Sequence, residues 1–375
     1  RENMVSTDKM PLAPHEFALM DMLFSNSDAF LCKPQPGYET CRYVFFPGCQ
    51  AGAIAPDVVM DAYEDLCARV EGGVGLILGC CGAISEWAGR YEMTEKVNEQ
   101  LKQELAKLGD PVIIAGCPSC MKQLKENTGA EVRGIWEILK EIGLPGKARG
   151  LEMPVAIHDA CGARGDARTQ DTIRELTVMG CTVEDTEYSR DLSPCCGYGG
   201  LTAYANKEMA AKMTEKCLER SDAPYITYCM ACRDRFAREG RESRHILELL
   251  YGDNACNMPD ISEKRYNRLV LKEKLLKNIW NEELMMEKKD YTVAYTEDAI
   301  RMMDERMILK SDVEHVLADY RESQEAVFDE ETKELVTRSR LGNVTFWVRF
   351  VETEEGYLVH RAYSHRMNIM KRVGQ

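Results

Sequence analysis

Short apolar runs alternate with longer amphipathic stretches through the first 250 residues. Arg42 to Phe46 is β-rich and stops at Pro47-Gly48. A helix opening at Pro56, a favourable first helical position, places Val58, Val59, Ala62 and Leu66 on one side. Val74 to Leu78 is a short apolar strand, a charged helix follows over about Tyr91 to Leu108, and Val112 to Ala115 is the next strand. The order recurs further on. Val155 to Ile157 and Tyr225 to Tyr228 read as strands, with helices near Thr172 to Met179 and Asn206 to Arg220. Strands alternating with helices imply an α/β fold with a parallel sheet in each half.

Around Gly252 to Asp260 the alternation breaks. A polar helix is predicted from Ser262 to Met286, with Leu269, Leu275, Leu276 and Ile279 on one side. A small α+β unit then follows. Its signals are a helix over Thr296 to Met307, a capping box at Ser311-Asp312-Val313-Glu314, and a strand in which Val344, Phe346, Val348 and Phe350 alternate with Thr345, Trp347 and Arg349. Glu352 to Gly356 reads as the turn to a partner strand, Tyr357 to Tyr363. The expected division is a lead-in over 1–41, two α/β domains over 42–150 and 151–255, a linker helix over 256–290, and the α+β domain over 291–375.

The charge balance narrows the partners. With 48 basic and 62 acidic side chains in 375 residues, the net charge of −14 argues against nucleic acid as the main ligand, which requires clustered cations. No apolar run reaches the length of a membrane span. The N-terminus, Arg1-Glu2-Asn3-Met4, has no signal-peptide pattern, so a cytoplasmic protein is expected, and the missing initiator Met suggests a segment of a longer polypeptide.

Sixteen cysteines carry the chemistry, all within the first 256 residues. Cys49, the pair Cys80-Cys81, and Cys117-Pro118-Ser119-Cys120 recur as Cys161, Cys195-Cys196, and Cys229-Met230-Ala231-Cys232. Equivalent positions are offset by 112 or 115 residues, and glycine follows each adjacent pair at Gly82 and Gly197. This is a duplicated domain. The cysteines fall where strands end, the functional edge of an open α/β sheet. Structural zinc wants four ligands in a tetrahedron, which adjacent cysteines serve poorly. A thioredoxin-type site leaves both adjacent pairs unexplained, and disulfides conflict with the cytoplasmic reading. Iron–sulfur ligation suits the soft thiolates best.

The two patterns, Cys-x30-Cys-Cys-Gly-x34-Cys-x2-Cys and Cys-x33-Cys-Cys-Gly-x31-Cys-x2-Cys, resemble the twin cysteine-rich CCG domains of the heterodisulfide reductase family, in its B-type component. Phe46-Pro47-Gly48-Cys49, His158-Asp159-Ala160-Cys161 and Pro194-Cys195-Cys196-Gly197-Tyr198-Gly199-Gly200 support the resemblance, which covers about residues 42 to 250. It implies two noncubane [4Fe-4S] clusters, one held by Cys49, Cys80, Cys81, Cys117 and Cys120, the other by Cys161, Cys195, Cys196, Cys229 and Cys232. It also implies an oxidoreductase that reduces a disulfide or a similar two-electron substrate. The alternative is an electron-relay subunit of a larger dehydrogenase or quinone-linked complex, and a third reading is a cysteine-rich zinc protein with an interaction role. No flavin or nicotinamide fingerprint is present, so a flavin- or ferredoxin-type donor is expected, on a partner or on the same polypeptide.

Other residues have blander readings. Cys67 and Cys217 fall on predicted helices and are expected to pack, while Cys32 and Cys41 are loop cysteines or ligands of a further metal. His158 invites a proton-donor role, although a histidine at a strand end more often satisfies backbone or a carboxylate such as Asp159. Arg164 and Arg168 could hold an anionic substrate group or solvate a loop. Gly197-Tyr198-Gly199-Gly200 is read as close backbone approach to a cluster. The tail's element order faintly resembles small ribonuclease-toxin folds, with Tyr363, His365 and Arg366 as the tempting residues, but a docking or dimerisation module is the better expectation.

Overall fold

The computed structural model describes residues 12–184, 186–252, 257–284, 290–341 and 344–365. These form two compact units, one from the stretch up to Pro259 plus Lys264–Leu284, the other from Asp260–Glu263 and the C-terminal stretch.

The first unit opens with helix α1 (Leu12–Ser25) and strand β1 (Leu31–Lys33). The first half then runs β2 (Tyr43–Phe46), α2 (Cys49–Ile54), α3 (Pro56–Arg69), β3 (Val74–Leu78), α4 (Ala83–Trp87), α5 (Tyr91–Lys107), β4 (Val112–Ala115), α6 (Pro118–Thr128), β5 (Val132–Gly134) and α7 (Ile135–Ile142). Its sheet has the order β1-β3-β2-β4-β5 and is parallel except for β1, which pairs antiparallel with β3. All five residues of β3 are buried, as expected of a strand covered on both faces. Helix α5 buries Thr94, Val97, Leu101 and Leu105 at helical spacing and leaves its charges outside.

The second half repeats the plan with β6 (Val155–His158), α8 (Ala167–Val178), β7 (Val183–Glu184), α9 (Thr202–Ala205), α10 (Lys207–Leu218), β8 (Tyr225–Thr227), α11 (Met230–Arg238), β9 (Ser243–His245) and α12 (Ile246–Tyr251). Its sheet, β7-β6-β8-β9, is parallel throughout and matches β3-β2-β4-β5 in order. One core joins the halves. Phe45, Leu66, Ile114 and Trp136 of the first pack in the same cluster as Ile157, Ile173, Ile226 and Tyr228 of the second. Helix α13 (Ile261–Trp280) adds Leu271, Leu275 and Leu276 to that cluster.

Several boundaries differ from those read in the sequence. Helix α8 starts five residues earlier than expected, because the Asp166 carboxylate caps it by accepting the Thr169 N–H at 3.0 Å. Helix α13 stops at Trp280 because Asn281 turns left-handed, with φ 54°. Strands β1, β5, β7 and β9 have only two or three residues, too short to show a period.

The second unit has its own core. Helices α14 (Glu297–Arg306) and α15 (Lys310–Ser323) cover a sheet of β10 (Thr292–Tyr295), β11 (Val327–Asp329), β12 (Glu334–Leu341), β13 (Val344–Thr353) and β14 (Gly356–His365), in the order β10-β14-β13-β12-β11. Val313, Val316 and Leu317 pack against Val348, Phe350 and Val359. The expected capping box is displaced by two residues. The buried Leu309 occupies the cap position, and the Asp312 carboxylate accepts its N–H at 2.9 Å.

Arg233 and Glu248 form a fully buried ion pair in the second half, with contacts of 2.7 and 3.0 Å. Removing one partner leaves an uncompensated charge in the core. Glu248→Ala is expected to lose about 3–5 kcal/mol in urea unfolding, and the double variant Arg233→Met/Glu248→Leu much less.

Candidate functional site

The strand ends aim the cysteines. β2 runs into Cys49, β3 into Cys80-Cys81 and β4 into Cys117; β6 leads to Cys161 and β8 to Cys229. Cys195 and Cys196 depart from this rule. They sit on a loop, with Cys195 eleven residues beyond β7, after a 3-10 turn at Arg190–Leu192. Cys117 and Cys229 occupy the cap positions of α6 and α11. Unpaired backbone N–H groups gather at such a position, so a thiolate there is favoured.

The ten repeat cysteines come together. In the first half the thiols act on one another's acidity as neighbours in the order Cys49, Cys80, Cys81, Cys120, Cys117. In the second the order is Cys161, Cys195, Cys196, Cys232, Cys229, with Cys232 and Cys196 sulfurs 3.1 Å apart. Cys117 and Cys229 are neighbours across the two halves, each shifting the other's thiol, and both line one cavity. The order of neighbours in one half mirrors that in the other about the Cys117–Cys229 pair. Each cysteine faces the same neighbours as its repeat equivalent.

Nine of the ten, all but Cys195, line one apolar cavity, with Ala51, Ala83, Ile84, Trp87 and Met230 among its walls and Gln50, Ser119 and Tyr198 as its polar groups. Among the described residues no three His, Cys, Asp or Glu side chains gather as a single metal ion requires. Soft donors so arranged fit a pair of multi-metal clusters better than a tetrahedral zinc.

The electrostatics follow from who donates to whom. Cys195 is held down to about 2, because the Cys161 and Cys196 thiols donate to it, with help from the Gly197 and Gly199 backbone N–H groups. Cys81 falls to about 6 through donation by Cys120 and Cys80. Cys117 lies well below the usual thiol range, held by Cys120 and Cys229 and by the Cys120 and Ser119 amides at the start of α6.

Glycines set the approach. Gly48, at φ 90°, brings backbone so near that a Cβ would sit 3.3 Å from the Cys120 sulfur. Gly199 lies beside the Cys161 and Cys195 sulfurs, but Gly197 does something else: its Cβ would meet the Ala210 carbonyl oxygen of α10 at 2.5 Å. Asn26 clamps Cys80 by accepting its N–H and donating to its carbonyl. Thr214 donates to the Cys196 carbonyl at 2.8 Å. These two residues carry no motif, and nothing in their sequence neighbourhood singles them out.

The remaining candidates fall outside the cavity. His158 is fully buried against Phe236 and Arg220 and is pushed down to about 3, chiefly by burial, so it stays neutral. Asp159 does not hold it but takes Arg174, Tyr228 and the Arg190 N–H. Arg164 donates to the Ser193 carbonyl, and Arg168 pairs with Glu137. Cys217 packs behind Cys195, and Cys67 lies against β3. Cys32 sits on β1, paired with Ile77, and burial raises its thiol to about 12. Cys41 is buried, and Cys256 lies outside the described residues. In the second unit Tyr363 stacks on Trp347, whose indole donates to His365; Arg366 lies outside the described residues.

Comparison with known sequences agrees with the repeat. The profile of the cysteine-rich domain termed CCG matches residues 43–125 and again 155–237. The chain carries two CCG domains in tandem. It is 28% identical over 169 residues to an uncharacterized iron-sulfur protein of Methanocaldococcus jannaschii, covering 43% of this chain and 33% of the relative. It is 27% identical over 212 residues to another uncharacterized iron-sulfur protein, from Methanococcus maripaludis, covering 52% of this chain and 40% of that one. The chain therefore spans well under half the length of these curated relatives. No helix among the described residues of this CCG protein is long and apolar enough to cross a membrane.

The two CCG glycines are expected to differ. Both have positive φ, but Gly82 would press a Cβ on the Val97 side chain at 3.3 Å, whereas Gly197 would strike backbone. Gly197→Ala should lower the thermal unfolding midpoint clearly more than Gly82→Ala, whose cost is about 1–3 kcal/mol of backbone strain.

Proposed function

We propose that this CCG protein is an iron–sulfur oxidoreductase with two [4Fe-4S] clusters of the noncubane type, one on Cys49, Cys80, Cys81, Cys117 and Cys120 and the other on Cys161, Cys195, Cys196, Cys229 and Cys232. The observation that carries this reading is the gathering of nine of the ten repeat thiols, from both halves, along one apolar cavity. When bound, such clusters accept and release single electrons, and two of them facing each other match a two-electron substrate. Cleaving a disulfide takes two electrons and two protons and yields two thiols.

The chain's own residues have definite parts in this. Cys117 and Cys229 present sulfur from helix N-termini, where amides offset negative charge. Ala83, Ile84, Trp87 and Met230 exclude water from the gap, and Gln50, Ser119 and Tyr198 are the polar groups available to orient a small disulfide there. Electrons come from a flavin- or ferredoxin-type donor. A second reading rests on the nearness of Cys117 to Cys229 on one cavity: that nearness suits a pure relay, in which electrons cross between the halves and no organic substrate enters.

Anaerobic purification followed by iron, acid-labile sulfide and zinc analysis tests the cluster reading. About eight irons per chain are expected, and about four in Cys195→Ser/Cys196→Ser. Zinc without sulfide after anaerobic reconstitution would overturn it. Turnover of a small disulfide by the chemically reduced protein then separates catalyst from relay.

A further inference from the structure

The repeat makes the ten cysteines equivalent in pairs, but the protein around the pairs is not. Cys49 lies against two helices that belong to neither CCG domain. From α13, Arg268 donates through Nε to the Cys49 carbonyl at 3.0 Å and through Nη1 to Asp21 of α1 at 2.8 Å. Arg265 reaches the same Asp21 oxygen at 3.3 Å. Two guanidiniums against one carboxylate leave this group with a net positive charge.

The charge is poorly screened. The Arg268 side chain is only 5% exposed, and its Nη2 is buried without a hydrogen-bond partner. It lines a small cavity together with Gly48, Cys49 and Gly79. Its field reaches the thiols of both Cys49 and Cys80. Away from water, a fixed charge at such range acts strongly.

Among the described residues, the second set has no guanidinium donating to a cysteine carbonyl as Arg268 does: Arg233, beside Cys232, pairs with Glu248, and Arg235 donates to Thr214, whose hydroxyl holds the Cys196 carbonyl. Cys161, the equivalent of Cys49, is exposed. The nearby guanidiniums are turned elsewhere: Arg164 to Ser193, Arg174 to Asp159, Arg220 to His158.

We infer that Arg268 is a positioning residue for charge: it holds a buried cation against the first cysteine set and makes the redox centre there easier to reduce than its twin in the second half. The inference rests on the cluster reading above. Adding an electron to a thiolate-held centre adds negative charge, and a neighbouring buried cation favours the reduced form. Asp21 orients the guanidinium and offsets part of its charge. The duplicated halves are thereby made electrically unequal by residues outside the duplication, and electrons gather in the first half.

The test is a redox titration followed by electron paramagnetic resonance on the full chain, with iron and sulfide measured on the same samples, for wild type, R268Q, R268K and D21N. In R268Q the midpoint of one couple should fall while the other stays in place and iron content is unchanged. R268K should restore that midpoint toward wild type, and D21N should raise it. Iron-replete R268Q with both midpoints unmoved, or with both shifted equally, overturns the inference. If R268Q does not fold, D21N decides: a rise confined to one couple supports the proposal, and no rise overturns it. A wild-type chain that binds no iron defeats the cluster reading itself, which is a separate result.

Discussion

Ten thiols gathered from two halves, most of them shielded from water, are the constraint on which the first unit is built. Sulfur is a weak hydrogen-bond partner, and a buried thiolate is expensive unless amides or other donors face it. The architecture supplies those donors. Parallel strands deliver their carboxyl ends to one edge, helices α6 and α11 start on a cysteine, and glycines let backbone come within contact of sulfur. Asn26 and Thr214 then fix the backbone of Cys80 and Cys196. Remove the need to gather sulfur, and these features lose their common reason.

Duplication gives the gathering its form. Because both halves use the same strand order, their thiol sequences meet head to head at Cys117 and Cys229. Departures from symmetry come from added parts. Helices α1 and α13 close over the Cys49 end, while the loop before Cys195 replaces a strand end and leaves Cys161 open to solvent. The C-terminal unit keeps a separate core of Val313, Val316, Val348 and Phe350 and shares no residue with that cluster of sulfurs.

Much of this was legible in the sequence, for a physical reason. Long amphipathic stretches such as Tyr91–Lys107 announce their period, and buried runs such as Val74–Leu78 announce their lack of one. The cysteine offsets named all ten gathered side chains before any geometry was known. Short strands escaped because two or three residues carry no period. Leu31–Lys33, within a stretch that reads as lead-in, completes the first sheet at its edge. Arg268, Asp21, Asn26 and Thr214 escaped for a different reason: each acts across long sequence separation, through contacts that only the folded chain creates. Gly197 shows the middle case. Its position after the cysteine pair marked it, yet its tightest contact is with helix α10 rather than with sulfur.

The seam between the halves has a consequence for how anything enters. A Cβ on Gly162, in the second half, would lie 2.8 Å from the Ser119 nitrogen of the first. Behind that point Trp136 donates to Thr169 and packs edge-on against Tyr228. Two domains joined so closely and sharing one core have no room to swing on a hinge. The gap between them therefore has a width set by packed side chains on both sides, not by the position of a hinge.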